Sequence, residues 1–263
     1  MTTTEQSEYH NETILNEFHL QSKIGNGSFS TVYKASEIRS GEIFAVKRFS
    51  DTSEYYFERE ILINLPYHKN VIYIGRPYEI SQNYLVLVYM DETLHDFIKR
   101  KKVLNLDEQL SISAQLASGL CHCHDNYIIH RDVTVTNVLI NAIGEVRLCD
   151  FGCAYKPWMG FSAAGAPYTR APEYLLDKCL KPEFCMDMWS YGCVIVDLFV
   201  NGETEWYDFL PDGNYRNIAK TISTKGFLTI QHNRHPIIEM TLQIDPSKRA
   251  TANEVVRYIE SIQ

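Results

Sequence analysis

Apolar and polar residues alternate through residues 18–50 in runs parted by turn residues: FHLQSKI, a glycine stretch, STVYKASEI, a turn at Arg39-Ser40-Gly41, then EIFAVKRF. A period of two in β-favouring residues predicts strands, and the short turns make them three consecutive antiparallel ones. Asp51-Thr52-Ser53-Glu54 has the composition of a helix cap, the following YYFEREILINL is helical in length, and Pro66 ends it. NVIYIG and YLVLVYM supply two more strands. From about residue 93 the pattern becomes mostly helical, with LHDFIKRKK and the long amphipathic stretch LDEQLSISAQLASGLCHCHDN. VLIN and EVRLC, joined at Ala142-Ile143-Gly144, interrupt it as a hairpin, and residues 184–200 are apolar enough for a buried central helix. The expected architecture is α+β and bilobal: a flexible leader at 1–17, a small β-rich lobe at 18–90 and a large helical lobe at 91–262, with a cleft between the lobes. No internal repeat or low-complexity linker breaks it.

Composition narrows the function. The 263 residues are 45% hydrophobic, enough to bury a sizeable core. The formal net charge is -8 with no dense Lys/Arg block, so the chain lacks the electrostatic footprint of a nucleic-acid or anionic-membrane partner. MTTTEQSEYHNETI is polar and acidic, unlike a secretory signal or transit peptide, and no apolar run reaches membrane-spanning length. The expected location is therefore intracellular, cytoplasmic and/or nuclear. Seven cysteines without CxxC pairs point to reduced thiols, and neighbours in Cys121-His122-Cys123-His124 face different ways on a helix, against a metal site there.

Gly25-Asn26-Gly27-Ser28-Phe29-Ser30-Thr31-Val32 lies between two strands, which argues against a dinucleotide fold and suits a loop lying over a triphosphate. Glycines in a hairpin often only supply turn geometry, so this loop alone is weak. Lys47 follows the first glycine by 22 residues in the otherwise apolar run Phe44-Ala45-Val46-Lys47, where a buried ammonium needs an anion such as a phosphate or a helix carboxylate. His130-Arg131-Asp132-Val133-Thr134-Val135-Thr136-Asn137 follows, and Asp150-Phe151-Gly152 begins 18 residues after Asp132. Taken in this order, the motifs resemble the protein kinases. Arg170-Ala171-Pro172-Glu173, Asp187-Met188-Trp189-Ser190-Tyr191-Gly192 and Asp245-Pro246-Ser247-Lys248-Arg249 extend the resemblance from about residue 18 to 262.

The resemblance implies ATP and Mg²⁺ as cofactors and a protein Ser/Thr acceptor as partner. Asp132 inherits the role of accepting a hydrogen bond from the attacking hydroxyl, and Asn137 and Asp150 those of holding Mg²⁺. The nucleotide would lie against Ile24 and the loop residues Gly25, Asn26, Gly27, Ser28, Phe29 and Ser30. Val32 and Ala45 would pack above the adenine and Leu139 below it, Val88 and Met90 would offer backbone groups to its edge, and Leu87 would control the pocket behind. The resemblance also pairs Glu173 with Arg249 and uses Asp187 to anchor the catalytic-loop backbone. The carboxylate for Lys47 is either Glu58 or Glu60, 11 or 13 residues on; Arg59-Glu60-Ile61 looks like the family motif, while periodicity favours Glu58, which shares a face with Ile61, Leu62 and Leu65.

Several positions depart from the family. Thr134 stands where Ser/Thr kinases carry a lysine that neutralises the migrating phosphate, and Ala166 where a Thr contacts that lysine. Thr136 is not the Arg expected of a tyrosine kinase, and Ser30 replaces the third loop glycine, which is expected to weaken ATP binding. Arg170 and the Asp187 segment look like the cyclin-dependent-kinase branch, but the helix around Glu58 lacks the cyclin-binding sequence, and Ser162 beside Phe161 supports activating phosphorylation only weakly. The reading is a divergent, monomeric, cyclin-independent kinase of that branch. Its alternative is a pseudokinase scaffold favoured by Thr134, Ala166 and Ser30 but opposed by the retained Lys47, Asp132, Asn137 and Asp150. A small-molecule kinase is disfavoured by the Ala-Pro-Glu motif.

Overall fold

The computed structural model describes residues 13–14, 17–75, 83–157, 165–175, 181–200 and 235–263. Phe161, Ser162 and most of the expected leader lie outside them. The chain forms two compact units, Met1–Tyr67 with Ile72–Met90 and His68–Val71 with Asp91–Gln263.

The first unit is built on a five-stranded antiparallel sheet in sequence order: β1 (Thr13–Ile14), β2 (Phe18–Asn26), β3 (Ser30–Glu37), β4 (Ile43–Phe49) and β5 (Tyr84–Val88). Alternation places Phe18, Leu20, Tyr33, Ala35, Phe44, Val46 and Val86 in one apolar cluster, with the Phe18 and Phe44 rings edge to face at 5.8 Å. Helix α1 (Thr52–Asn64) begins at the Asp51 cap, whose carboxylate accepts from the Ser53 amide, and buries Tyr55, Glu58, Ile61 and Leu62. The strand expected at NVIYIG is corrected. Val71 bridges Leu148 and Ile74 bridges Leu87, each in isolation. Those partners belong to different sheets, so the run has no single strand along which to extend a ladder.

The second unit has a small sheet, β6 (Glu92–Thr93), β7 (Val138–Ile140) and β8 (Val146–Leu148), among helices. These are α2 (Leu94–Lys101), α3 (Leu106–Asp125), α4 (Pro172–Leu175), α5 (Phe184–Phe199), α6 (Pro236–Thr241) and α7 (Ala252–Ile262). Capping boxes at Asn105/Glu108 and Thr251/Glu254 start α3 and α7. Helix α5 is buried along nearly its whole length, and the Tyr191 hydroxyl donates to the Ser113 carbonyl of α3 at 3.0 Å. Gly192 allows α6 close to α5, because a Cβ there would lie 2.6 Å from Leu242 Cδ2. No helix among the described residues is long and apolar enough to cross a membrane.

Candidate phosphotransfer site

In the first unit the glycine loop is mostly strand. Gly25 and Asn26 still pair with Val32 and Thr31, and the tip is closed by the Gly27 amide donating to the Ser30 carbonyl at 2.8 Å. Ile24, Asn26, Gly27, Ser28 and Phe29 are exposed. The Phe29 carbonyl accepts from the Ser50 amide at 2.9 Å, which ties the loop to the end of β4.

Lys47 sits in β4 between Val32 of β3 and Leu85 of β5 and is only 6% exposed. Its ammonium meets the Glu58 carboxylate at 2.6 Å, and Glu58 is 1% exposed. Glu60 turns outward and accepts from the Asn64 side chain at 2.7 Å, so of the two candidate carboxylates Glu58 faces the lysine. Helical period decides this, since the buried residues of α1 include Glu58, Ile61 and Leu62. Ala45, Leu87 and Met90 are buried, Val32 and Val88 are half-buried, and the Val88 amide donates to the Tyr73 carbonyl at 3.2 Å.

In the second unit the site grows from Asp187 in the first turn of α5. Its fully buried carboxylate accepts from the backbone amides of His130 at 2.7 Å and Arg131 at 2.8 Å and from His124 Nε2 at 2.9 Å. Burial pushes this carboxyl up, but the hydrogen bond from His124, the charges of His124 and His130 and the His130 amide together hold it below its ordinary value. The two amides hold Arg131 at φ 65, and its Nε donates to the Cys153 carbonyl at 2.5 Å. His130 Nε2 meets the Cys149 carbonyl at 3.0 Å, with its ring against Phe151 at 4.8 Å.

Asp132 follows on this framework. Its Oδ2 accepts from the Asn137 side chain at 2.7 Å and its Oδ1 from the Ala166 backbone amide at 2.6 Å. The Asn137 side chain also donates to the Asp132 carbonyl at 2.9 Å, and the Asn137 carbonyl accepts from the Cys149 amide at 2.9 Å. Asp150, the next residue, has left-handed backbone (φ 63). Cys153 lies near both acids: burial first, with the charges of Asp132 and Asp150 adding to it, pushes its thiol up to about 11. Leu139 is half-buried in β7.

Arg249 grips Glu173 with two nitrogens at 2.7 and 3.1 Å, as the sequence implies. Thr134 is 3% exposed, with its hydroxyl 2.9 Å from that of Thr136. The residues of Cys121-His122-Cys123-His124 diverge: His122 stacks on His68, His124 turns to Asp187, and Cys123 is buried. Sequence reasoning missed His124 and the Ala166 amide. The first carries no spacing signal, and every residue but proline owns a backbone N–H.

Each unit, taken by itself, holds one kind of group that a magnesium nucleotide needs. Asn137 and Asp150 offer the hard oxygen donors that Mg²⁺ prefers, and Lys47 is a buried cation held ready by Glu58. In comparison with known proteins, the protein kinase domain family matches residues 18–258, and the chain belongs to that family. It is 30% identical over 215 residues to Cyclin-dependent kinase G-2 of Oryza sativa subsp. japonica, covering 73% of this chain and 30% of the relative. Cyclin-dependent kinase G1 of Arabidopsis thaliana is 30% identical over 302 residues, covering 93% of this chain and 48% of the relative. A probable serine/threonine-protein kinase of Dictyostelium discoideum is 28% identical over 258 residues, covering 93% and 51%. MAP3K epsilon protein kinase 1 of Arabidopsis thaliana, whose name is not that of a cyclin-dependent kinase, is 31% identical over 221 residues, covering 78% of this chain and 16% of the relative. The chain thus spans about half or less of the length of these relatives.

Proposed function

We propose that the chain transfers the γ-phosphate of ATP to Ser or Thr of protein substrates. The observation that carries this reading is the Asp132 carboxylate, oriented from both oxygens by Asn137 and Ala166 on a loop anchored by Asp187. Asp132 would accept a hydrogen bond from the substrate hydroxyl, and its two donors, one on each oxygen, fix the orientation of the carboxylate while leaving each oxygen acceptor capacity. Lys47 binds phosphate oxygens, and Glu58 keeps its ammonium in place. Asn137 and Asp150 would hold Mg²⁺, which when bound neutralises charge on the phosphates. Ile24, Gly25, Asn26, Gly27, Ser28, Phe29 and Ser30 would cover the nucleotide, and Val32, Ala45, Val88, Met90 and Leu139 would bind its base.

Within the family the reading is a cyclin-dependent-kinase-like enzyme that works as a monomer without cyclin, with no nucleic-acid or membrane partner. The relatives named for cyclin-dependent kinases and Arg170 before Ala-Pro-Glu support the branch, and the missing cyclin-binding sequence on α1 supports independence. The second reading, a pseudokinase scaffold, is favoured by Thr134, whose hydroxyl pairs with Thr136 where the family places a lysine. Labelled ATP·Mg²⁺ with a Ser/Thr/Tyr peptide library, without cyclin and with Asp132→Asn as control, separates them. Phosphoserine and phosphothreonine from the wild type alone support the proposal. Phosphotyrosine as main product, dependence on cyclin, or equal inertness of both proteins would each overturn its corresponding part.

A further inference from the structure

Gly165 and Ala166 share one peptide group that faces two charged residues. Its carbonyl accepts from Arg170 Nη2 at 2.6 Å, and its N–H donates to Asp132 Oδ1 at 2.6 Å. In a trans peptide these two groups point in opposite directions, so the guanidinium and the carboxylate lie at the two ends of one amide dipole. A cation on the carbonyl polarises the amide and strengthens its N–H as a donor. The approach depends on Gly165: its φ is +89, and a Cβ there would lie 1.9 Å from the Arg131 carbonyl oxygen. Arg170 is held in turn, with its guanidinium 5.6 Å from the Tyr174 ring centroid. The turn between them is fixed to α5 by the Ser190 hydroxyl, which donates to the Thr169 carbonyl at 2.7 Å.

We propose that Arg170 is a positioning residue for phosphotransfer, acting through the Gly165–Ala166 peptide on the Asp132 carboxylate. The proposal rests on the kinase reading, since it gives the held carboxylate its task. The main-chain donor does at Asp132 what no side chain of Ala166 can do, and it survives any substitution at 166 that keeps an N–H.

Four changed proteins test it: Arg170→Met, Arg170→Lys, wild type with the amide at residue 166 replaced by an ester through lactic acid incorporation, and the same ester in Arg170→Met. Loss of a charge-assisted hydrogen bond is expected to lower kcat about tenfold or more in the ester protein, with the KM for ATP·Mg²⁺ unchanged. Arg170→Met should lower kcat similarly, Arg170→Lys should restore part of it, and the ester in Arg170→Met should cost little beyond either change alone. A fall in the combined protein equal to the product of the two single effects would overturn the relay. So would a fall confined to KM.

The exchange rate of the Ala166 amide proton, read by NMR, tests the contact without turnover. It should be slow in the wild type and faster in Arg170→Met and in Asp132→Ala. Fast exchange in the wild type overturns the proposal even if the kinase reading holds. A wild type that transfers no phosphate while protecting this amide overturns the kinase reading and the catalytic task, and leaves the contact as structure.

Discussion

Lys47 and Glu58 form a buried pair, 7% and 1% exposed at their side chains, and its disruption has a calculable consequence. Lys47→Met leaves the Glu58 carboxylate buried without that ammonium. Breaking such a pair by removing one partner costs about 3–5 kcal/mol, because a desolvated charge loses its compensation. At roughly 2–4 °C per kcal/mol for a chain near this size, Tm should fall by roughly 6–20 °C. Glu58→Leu should do much the same. The double variant Lys47→Met/Glu58→Leu removes both charges and replaces them with apolar atoms, so it should melt above either single variant. Differential scanning calorimetry measures all four proteins. Ligand supplies the functional half: ATP·Mg²⁺ at about 100 times its Kd stabilises the native wild type by about 2.7 kcal/mol, or roughly 5–10 °C. Lys47→Met, compared with its own unliganded state, should show no such shift. Additive losses in the double variant would refute the buried-pair reasoning, and an undiminished ATP shift in Lys47→Met would refute the phosphate role.

Asp187 has its native pKa held below the ordinary value, so its contribution is present above the unfolded value of about 3.9 and lost as pH falls through the lower native one. Urea unfolding between about pH 6 and pH 2 should therefore steepen in acid for the wild type and less so for Asp187→Asn; equal slopes would refute the assignment. Thr134→Lys must place an ammonium where the threonine is 3% exposed and paired with Thr136, so it should lower Tm and gain turnover only when Ala166→Thr supplies a hydroxyl partner. Single-turnover phosphorylation by both variants checks this, and a gain from Thr134→Lys alone would contradict it. Gly192→Ala would press a methyl to 2.6 Å from Leu242 and 2.7 Å from Thr241 Oγ1, so urea unfolding should show a loss of about 1–3 kcal/mol.

What the sequence revealed and what it hid divide along one physical line. Glu58 was legible because a helix repeats every 3.6 residues, and the apolar company of Ile61, Leu62 and Leu65 marks its buried face against the motif-like Glu60. Arg249 with Glu173 and Asp187 with the His130 and Arg131 amides were legible because each uses a charged side chain at a fixed place in an ordered set of motifs. The NVIYIG segment was misjudged because strand propensity describes a residue's own preference, whereas a ladder also needs a partner strand of matching length. Strand β1 was invisible for a related reason, since two residues, Thr13–Ile14, are too few to show a period.

Position 166 shows the limit most clearly. Judged by side chains, Ala166 is a loss, because a hydroxyl that would orient a neighbour has gone. The structure instead places its backbone amide on Asp132 and the preceding carbonyl on Arg170, contacts that leave no trace in the identity of residue 166. Their trace lies one position earlier. A φ of +89 and a Cβ position 1.9 Å from a carbonyl oxygen leave glycine as the residue that can stand at 165. A donor on the main chain thus frees the residue that carries it and constrains the one before. For this chain, substitutions at 166 that keep the N–H should be tolerated, while Gly165→Ala should disturb Asp132 without touching it.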